Sequence, residues 1–223
     1  MNYQFQFDAV LAAWPLLLKG TWITVQLSLT ATVLGLVVAI FCAWGKTGGP
    51  LWLRFLISAY IEVIRNTPFI VQLFFFFFAL PSIGLRWSPY TAALTAMVVN
   101  LGAYAAEIVR AGIESIPKGQ IEAGKALNLK PWEIFRFVIL KPALKAIYPA
   151  LTSQFILLML SSAVVSVISA DDLTSVAANL QSQTFRSFEI YIVVAVIYLT
   201  LALSFSALFK LIYQRTLNYP DRR

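Results

Sequence analysis

Residues 34–44 read LGLVVAIFCAW, and they settle which class of membrane fold this chain adopts. A strand of a membrane β-barrel would alternate apolar and polar side chains, which this stretch does not do. It lies within residues 20–45, a window that contains no Asp, Glu, Lys or Arg. A helix needs about 20 residues to cross a bilayer, and backbone groups in hydrocarbon must be paired within the segment. The sequence therefore predicts a membrane-spanning helix here.

Four further windows without Asp, Glu, Lys or Arg follow, at residues 66–85, 87–106, 146–170 and 190–209. With 60% hydrophobic and 12% charged residues, the chain is far more apolar than a soluble domain. We predict an all-α polytopic membrane protein with about five transmembrane helices in a single domain, residues 1–223. The expected spans are Thr21–Trp44, Arg54–Leu80, Pro89–Ile108, Ile147–Ala170 and Phe188–Tyr213.

Two stretches outside this pattern carry separate expectations. FDAVLAAWPLLLKG, residues 7–20, is too short to span and contains Pro15, so we expect an interfacial helix that lies against the first span. FFFFF, residues 74–78, has no polar side and is expected to face lipid.

The basic residues indicate how the chain is oriented. With five spans, 13 of the 17 basic residues fall on one side of the membrane. Cytoplasmic segments carry an excess of Lys and Arg, so we predict an external N-terminus and a cytoplasmic C-terminus. The cytoplasmic residues are then Lys46, Arg54, Arg110, Lys118, Lys125, Lys130, Arg136, Lys141, Lys145, Lys210, Arg215, Arg222 and Arg223. The net charge of +7 thus reflects topology, and no nucleic-acid partner is expected.

The residue content excludes several kinds of chemistry. The chain has no histidine, and its single cysteine, Cys42, lies within the first span, which argues against zinc sites, Ser-His-Asp triads and disulfides. GKT at residues 45–47 is not a phosphate-binding loop, because Ile40 stands where that motif needs glycine. The adjacent acids Asp171 and Asp172 are expected to form a solvated helix cap. The chain is therefore expected to be non-catalytic, and ATP would have to be hydrolysed by another subunit.

Residues 107–145 differ from the other connections, because they are long and rich in charge. KGQIEAGKALNL, residues 118–129, predicts a short helix that ends at Asn128, a residue that tolerates the left-handed conformation. A second helix is expected to begin at Pro131 and to stop near Pro142. Its aromatic face, which includes Trp132 and Phe135, could lie on the inner leaflet or dock into a groove of a partner. Spacing alone leaves both possibilities open.

Three stretches resemble the membrane permease subunits of bacterial ABC importers, in the polar-amino-acid branch. The loop motif of that family matches at Glu122-Ala123-Gly124, with Asn128 at its glycine and a closing proline one position late, at Pro142. EVIRNTPFIVQLFFFFFALP, residues 62–81, is similar to the second span of the branch. NLGAYAAEIVRAGIESIPKGQIEAG, residues 100–124, is similar to its third span and loop entry. The resemblance covers about residues 20–216.

The resemblance implies a bacterial inner-membrane protein with a coupling helix in the cytoplasmic loop between the third and fourth spans, at about residues 109–145. This loop would dock on a cytoplasmic ABC ATPase dimer that holds ATP and Mg²⁺, so no cofactor is expected on this chain. The implied contact residues are Glu122, Ala123, Gly124, Asn128, Leu129, Lys130, Pro131, Trp132 and Phe135. Further implied partners are a second permease subunit, identical or homologous, an extracytoplasmic substrate-binding protein and the lipid bilayer.

A substrate path is expected along polar residues of the second and fourth spans. The candidates are Ser153, Gln154, Ser161, Ser162, Glu62 and Arg65. Ser153 and Gln154 stand where an Asn-Glu pair is common in members of the branch that handle basic amino acids, which argues against a cationic substrate. Alternatively, these groups only bond to neighbouring helices or reach the interface. Two other classes of protein stay open. A gradient-driven secondary transporter would be a larger chain with inverted repeats and broken helices, neither of which is visible in the sequence. An intramembrane enzyme would need a catalytic pair, and none is found.

Overall fold

The computed structural model describes residues 3–217, and within this range the chain forms helices and no β-strand. The α-helices are α1 (Asp8–Ala12), α2 (Trp14–Gly48), α3 (Leu51–Arg65), α4 (Phe69–Phe74), α5 (Pro89–Glu114), α6 (Lys118–Ala126), α7 (Pro131–Glu133), α8 (Leu140–Ser161), α9 (Leu173–Thr184) and α10 (Ser187–Thr216). Two π-helical turns, at Phe75–Ala79 and Ile134–Ile139, and two 3₁₀ segments, at Leu80–Ile83 and Ser162–Ile168, extend the neighbouring α-helices.

Four helices are long and apolar enough to cross a membrane: α2, α5, α10 and the continuous run Pro131–Ile168. A fifth span is formed if α3 and the run Phe69–Ile83 are counted together, and these two pieces are bent by 110°. The prediction of an all-α protein with about five spans is therefore confirmed. The extent of the single transmembrane domain, residues 1–223 with a core at 20–216, stays a prediction, and Arg222 and Arg223 lie outside the described residues.

The second span is broken, so the predicted continuous helix over Arg54–Leu80 is wrong. α3 ends at Arg65, and α4 begins after Pro68, whose backbone is extended (φ −60°, ψ 140°). Proline has no N–H to continue a helix, and its ring pushes the residue before it away from helical geometry. The charge-free window 66–85 begins at this break, and the predicted span joined it to residues 54–65 although Pro68 follows directly. A broken helix, which the sequence pattern did not reveal, is therefore present.

Two prolines that were expected to interrupt helices do not. Pro15 lies in the first turn of α2, where the backbone N–H has no partner within the helix, so residues from Trp14 onward join the first span. Only α1 remains of the predicted interfacial helix. Pro142 lies within the run Pro131–Ile168 and does not stop it. The π-helical turn at Ile134–Ile139 immediately precedes Pro142 and changes the hydrogen-bond register at this point.

Small side chains bring α2 and α5 close together in the centre of the protein. Ala31 and Ala39 of α2 and Ala96 of α5 are fully buried in the same apolar cluster. A Cβ atom at Gly35 would lie 2.9 Å from a terminal carbon of Leu101. Helices in membranes associate through such close packing, because lipid provides no hydrophobic drive between them.

This packing predicts a large loss of stability for Gly35→Leu. The added side chain would have to displace Leu101 in a full core, and overpacking of this kind costs roughly 1–3 kcal/mol or more. Gly48→Leu is the matched control in the same helix, since a Cβ atom there meets nothing within 4 Å. The measurement is the unfolding temperature of both purified variants in detergent. Equal temperatures would show that α2 and α5 are not in close contact at Gly35.

Helix α9, which the sequence pattern did not predict, packs its buried face against the first third of α2, around Gly20. A Cβ atom at Gly20 of α2 would lie 3.0 Å from the Leu173 Cα atom, so glycine permits this approach. Asp172 caps α9 by accepting a hydrogen bond from the Ser175 N–H at 2.7 Å. The Asp172 side chain is fully buried, so the expected solvation is wrong for this residue, whereas Asp171 is exposed. Burial raises the pKa of Asp172 to about 6.

The phenylalanine run does not face lipid as a whole. Phe74, Phe76 and Phe77 pack against the main core, whereas Phe75 and Phe78 are exposed. Phe76 also stacks on Trp87 with ring centroids 6.1 Å apart. A helix has a face toward its neighbours wherever it packs, and five identical side chains hide this sidedness in the sequence.

Candidate coupling loop and substrate path

The segment between the third and fourth spans folds into the short helix α6 and a tight turn, which leads into the start of the run Pro131–Ile168. α6 ends before Asn128, which has φ 57° as predicted. The turn is closed by hydrogen bonds from the Asn128 N–H to the Lys125 carbonyl at 2.9 Å and from the Leu129 N–H to the Gly124 carbonyl at 3.1 Å. These bonds satisfy carbonyl groups that the end of α6 leaves without partners.

The second short helix begins at Pro131, as predicted, and it is well capped. The Glu133 carboxylate accepts a hydrogen bond from the Lys130 N–H at 2.7 Å. Ile134 is buried against Gly124, where a Cβ atom would lie only 3.2 Å from Ile134 Cγ1. The small residue in the family motif thus allows α6 to pack closely against the start of the long run Pro131–Ile168. α6 and the start of this run therefore pack together as one unit.

Trp132 and Phe135 form an aromatic knob on the exposed surface of this unit. Their ring centroids are 6.3 Å apart, and their side chains are 67% and 38% exposed. Large apolar side chains this exposed on a rigid, capped helix are typical of a surface that is covered by a partner or by lipid. The other predicted contact residues on this loop are largely exposed as well, apart from the buried Gly124 and the half-buried Leu129.

A charge network joins the ends of α2 and α5 on the same side of the protein as the knob. Lys46 Nζ lies 2.6 Å from one Glu107 carboxylate oxygen, and Arg110 lies 2.7 Å from the other. Arg110 also pairs with Glu114, and Arg54 of α3 donates to the Lys46 carbonyl at 2.9 Å. The network therefore links α2, α3 and α5 to one another close to the loop.

The break in the second span opens onto a cavity of about 490 Å³, which we call the break cavity. Three of the six residues predicted for a substrate path line it: Arg65, Gln154 and Ser161. Gln154 and Ser161 are seven residues apart, which is about two helical turns, so they share a face. Glu62 lies beside them, in a second cavity of about 310 Å³ that also includes Arg65.

The other two candidates lie elsewhere. Ser153 lines a separate cavity of about 250 Å³ between α8 and α10, together with Tyr148 and Phe209. Ser162 is fully buried and donates to the Met159 carbonyl at 2.7 Å, which is a structural role. Adjacent residues on a helix point about 100° apart. Ser153 and Gln154 thus point in different directions from α8, and in this structure they line different cavities.

Gln72, which sequence reasoning did not select, holds the break in shape. Its side-chain amide donates to the Ile64 carbonyl at 2.8 Å and to the Thr67 carbonyl at 3.0 Å. Its oxygen accepts a hydrogen bond from Asn100 of α5 at 3.0 Å. Carbonyl groups at a broken helix have no backbone partner, and in a membrane a neighbouring side chain must satisfy them. A glutamine four residues after a proline within a span is the signal that could have revealed this role.

Within residues 3–217, no group of three or more His, Cys, Asp or Glu side chains could hold a metal ion. The fold and these features define a multi-span membrane protein with a polar cavity at a broken helix and a rigid aromatic unit at one end. This combination is typical of a transporter subunit that works with a partner.

Comparison with known proteins agrees with this class. Residues 31–218 match the family described as "Binding-protein-dependent transport system inner membrane component". The chain is 40% identical over 206 residues to the glutamine transport system permease protein GlnP of Escherichia coli K12, covering 91% of this chain and 94% of that protein. It is 34% identical to the octopine transport system permease protein OccM of Rhizobium meliloti, covering 97% of this chain and 89% of that protein. The chain belongs to this family of inner-membrane permease components.

Solved structures confirm the architecture. An amino acid ABC transporter crystallised with histidines matches with a TM-score of 0.89 and 38% identity, covering 96% of this chain and all of that one. An inward-facing MetNI methionine ABC transporter matches with a TM-score of 0.77 and 23% identity, covering 92% and 98%, which supports the fold alone. The family assignment favours a permease subunit. The gradient-driven transporter, which the sequence analysis had left as an alternative, is not supported.

Proposed function

We propose that this chain is the permease subunit of an ATP-driven amino-acid importer and forms part of the translocation path. Coupling to an ATPase is inferred from the aromatic knob, which lies at the capped start of the helix that continues as the fourth span. The names of the relatives support amino acids and their derivatives as the class of substrate. The chain itself binds no cofactor in this proposal, and ATP and Mg²⁺ belong to the partner.

The knob docks into a cleft of a cytoplasmic ATPase dimer, and the loop residues around it complete the contact. Closure of the dimer on ATP would displace the knob and thereby shift the spans between inward-facing and outward-facing states. A second permease subunit, identical or homologous, completes the path. An external binding protein delivers the substrate. The packing of α6 on the start of the run Pro131–Ile168 supports docking, because it gives the backbone below the knob one defined position.

Co-purification tests this proposal. The chain is expressed with its candidate ATPase, the complex is reconstituted in vesicles, and ATP-dependent uptake of labelled amino acids is measured with the binding protein present. Uptake of at least one amino acid is expected. A chain that purifies without any ATPase, and that imports no amino acid under these conditions, would rule out the proposed function.

The proposed orientation gives a separate prediction. The excess of basic residues near the loop and the C-terminus places Lys125 and Arg215 inside and Lys19 and Arg86 outside. Single cysteines at these four positions, in a Cys42→Ala background, are treated with an impermeant thiol reagent on intact cells. Only the cysteines at 19 and 86 are expected to react before lysis, and all four after it. Labelling of the residue-125 cysteine from outside would reverse the orientation.

A further inference from the structure

The cavity between α8 and α10, which we call the α8–α10 cavity, is lined by one charged side chain, that of Lys210. A hydrogen bond from the Tyr148 hydroxyl to the Phe209 carbonyl, 2.9 Å long, joins the two helices at this point. The polar wall of the cavity is otherwise made of hydroxyl groups from both helices, on Tyr148, Thr152, Ser153, Ser206 and Tyr213. The cavity therefore combines a positive charge with several hydrogen-bond donors.

Lys210 has no counter-charge in this part of the protein. Among residues 3–217 it forms no ion pair, and the stretches 140–161 and 190–217, which contain both walls of the cavity, have no Asp or Glu. The same stretches contain four basic residues: Lys141, Lys145, Lys210 and Arg215. A cavity that is lined by one sign of charge attracts ions of the opposite sign.

Three of the hydroxyl groups are also available to a ligand. Hydroxyls within a span usually bond to their own helix, as Thr152 does to the Pro149 carbonyl at 2.9 Å. Ser153, Ser206 and Tyr213 form no hydrogen bond within the part of the chain that the structure describes. Because each of these hydroxyls can donate a hydrogen bond, together with Lys210 they are suited to the oxygen atoms of an anion.

The depth of the cavity in the membrane indicates the source of this anion. Lys210 directly follows the charge-free window 190–209, so it lies where the hydrocarbon region meets the headgroup region. The rings of Tyr148 and Tyr213 have centroids 5.6 Å apart, and tyrosine is enriched at this level of membrane proteins. The cavity is therefore at the depth of lipid phosphate groups.

The surface next to the cavity is apolar on the side toward the middle of the bilayer. Leu157 lies one helical turn beyond Ser153, and Leu203 lies about one turn beyond Ser206 in the same direction across the membrane. These two leucine side chains are 58% and 61% exposed. The surface thus changes from basic and polar to apolar in the same order as a phospholipid does.

We propose that the α8–α10 cavity binds the phosphate headgroup of an anionic phospholipid of the inner leaflet, with Lys210 pairing with the phosphate and an acyl chain lying against Leu157 and Leu203. The leaflet follows from the orientation proposed above. Basic pockets between membrane helices on the cytoplasmic side are suited to anionic lipid headgroups. A free phosphate ion would meet the same polar groups, but it would gain nothing from the apolar surface.

The test is native mass spectrometry of the purified permease–ATPase complex in detergent, titrated with one phospholipid at a time. Phosphatidylglycerol is expected to bind saturably and at least about fivefold more tightly than phosphatidylethanolamine, whose ammonium group offsets its phosphate. An equal concentration of inorganic phosphate is expected not to displace the bound lipid. Absence of saturable binding, equal affinity for both lipids, or displacement by inorganic phosphate would each overturn this inference.

Variants assign the effect to the cavity. Lys210→Gln is expected to weaken phosphatidylglycerol binding at least about fivefold, whereas Lys118→Gln, which removes the same charge from an exposed site on α6, leaves it unchanged. Ser206→Leu keeps every charge but fills part of the cavity, and it should weaken binding too. Leucine is compatible with this exposed position within an apolar window, so this variant gives a result even if Lys210→Gln does not assemble.

Unchanged phosphatidylglycerol binding in either Lys210→Gln or Ser206→Leu would place the lipid elsewhere and overturn the assignment. ATP-dependent uptake is measured on the same preparations after reconstitution. If uptake persists while lipid binding fails these tests, the proposed function stands and only the lipid site is wrong.

Discussion

Replacement of Trp132 by aspartate is expected to separate this subunit from its ATPase. The exposed Trp132 ring is proposed to be buried in the cleft, and burial of a large apolar side chain contributes roughly 1.5–3 kcal/mol. An aspartate would remove this contact and bring an unpaired charge into the cleft, which adds a further cost. Because 1.4 kcal/mol is a factor of ten, affinity should fall by at least about tenfold. The measurements are pull-down of the ATPase and substrate-stimulated ATP hydrolysis in reconstituted vesicles.

Trp132→Phe is the matched control, since it keeps an aromatic ring and should retain most of both activities. Insertion of the spans should survive in both variants, because Trp132 precedes the hydrophobic part of the long helix. A lipid-facing knob gives the opposite result, in which Trp132→Asp binds and stimulates the ATPase as the wild type does. That outcome would refute the docking proposal.

Replacement of Gln72 by leucine is expected to collapse the break in the second span. The Ile64 and Thr67 carbonyls would lose their side-chain donor, and a carbonyl left without a partner costs roughly 1–3 kcal/mol. The link to Asn100 would also be lost. Uptake should fall by at least about tenfold, and the unfolding temperature should fall as well.

Two companion variants separate hydrogen bonding from size. Gln72→Glu keeps the shape of the side chain, but an ionised carboxylate cannot donate to the two carbonyls, so it should fail as Gln72→Leu does. Gln183→Leu alters an exposed glutamine on α9 and should be neutral. If Gln72→Glu transports normally, hydrogen bonds from Gln72 are not what holds the break open.

The features that follow from local patterns could be predicted from the sequence. Apolar windows gave the number of spans, and Asn128 and Pro131 gave the turn between the two loop helices, because each depends on residues close together in the chain. The break at Pro68 was predictable in principle from the same rule on proline. The charge-free window begins at residue 66, and the predicted span Arg54–Leu80 extended it backwards across Pro68 without allowing for this rule.

The remaining features depend on contacts between distant residues. Lys46 and Glu107 are 61 residues apart, and neither position indicates the other without the packing of α2 on α5. The role of Gln72 likewise requires Asn100 from another helix. Ser153 and Gln154 line different cavities in this structure, and this separation depends on which neighbouring helices pack on each side of α8.

The run Pro131–Ile168 has a mechanical consequence. At 1.5 Å per residue, its 38 residues form a rod of about 57 Å, with Trp132 near one end and Gln154 and Ser161 beyond its middle. Because no loop interrupts the run, the knob and the wall of the break cavity belong to one element, and a displacement of the knob would reach the cavity through it. The π-helical turn Ile134–Ile139 and Pro149 lie between the two, and they are the points at which this element can bend.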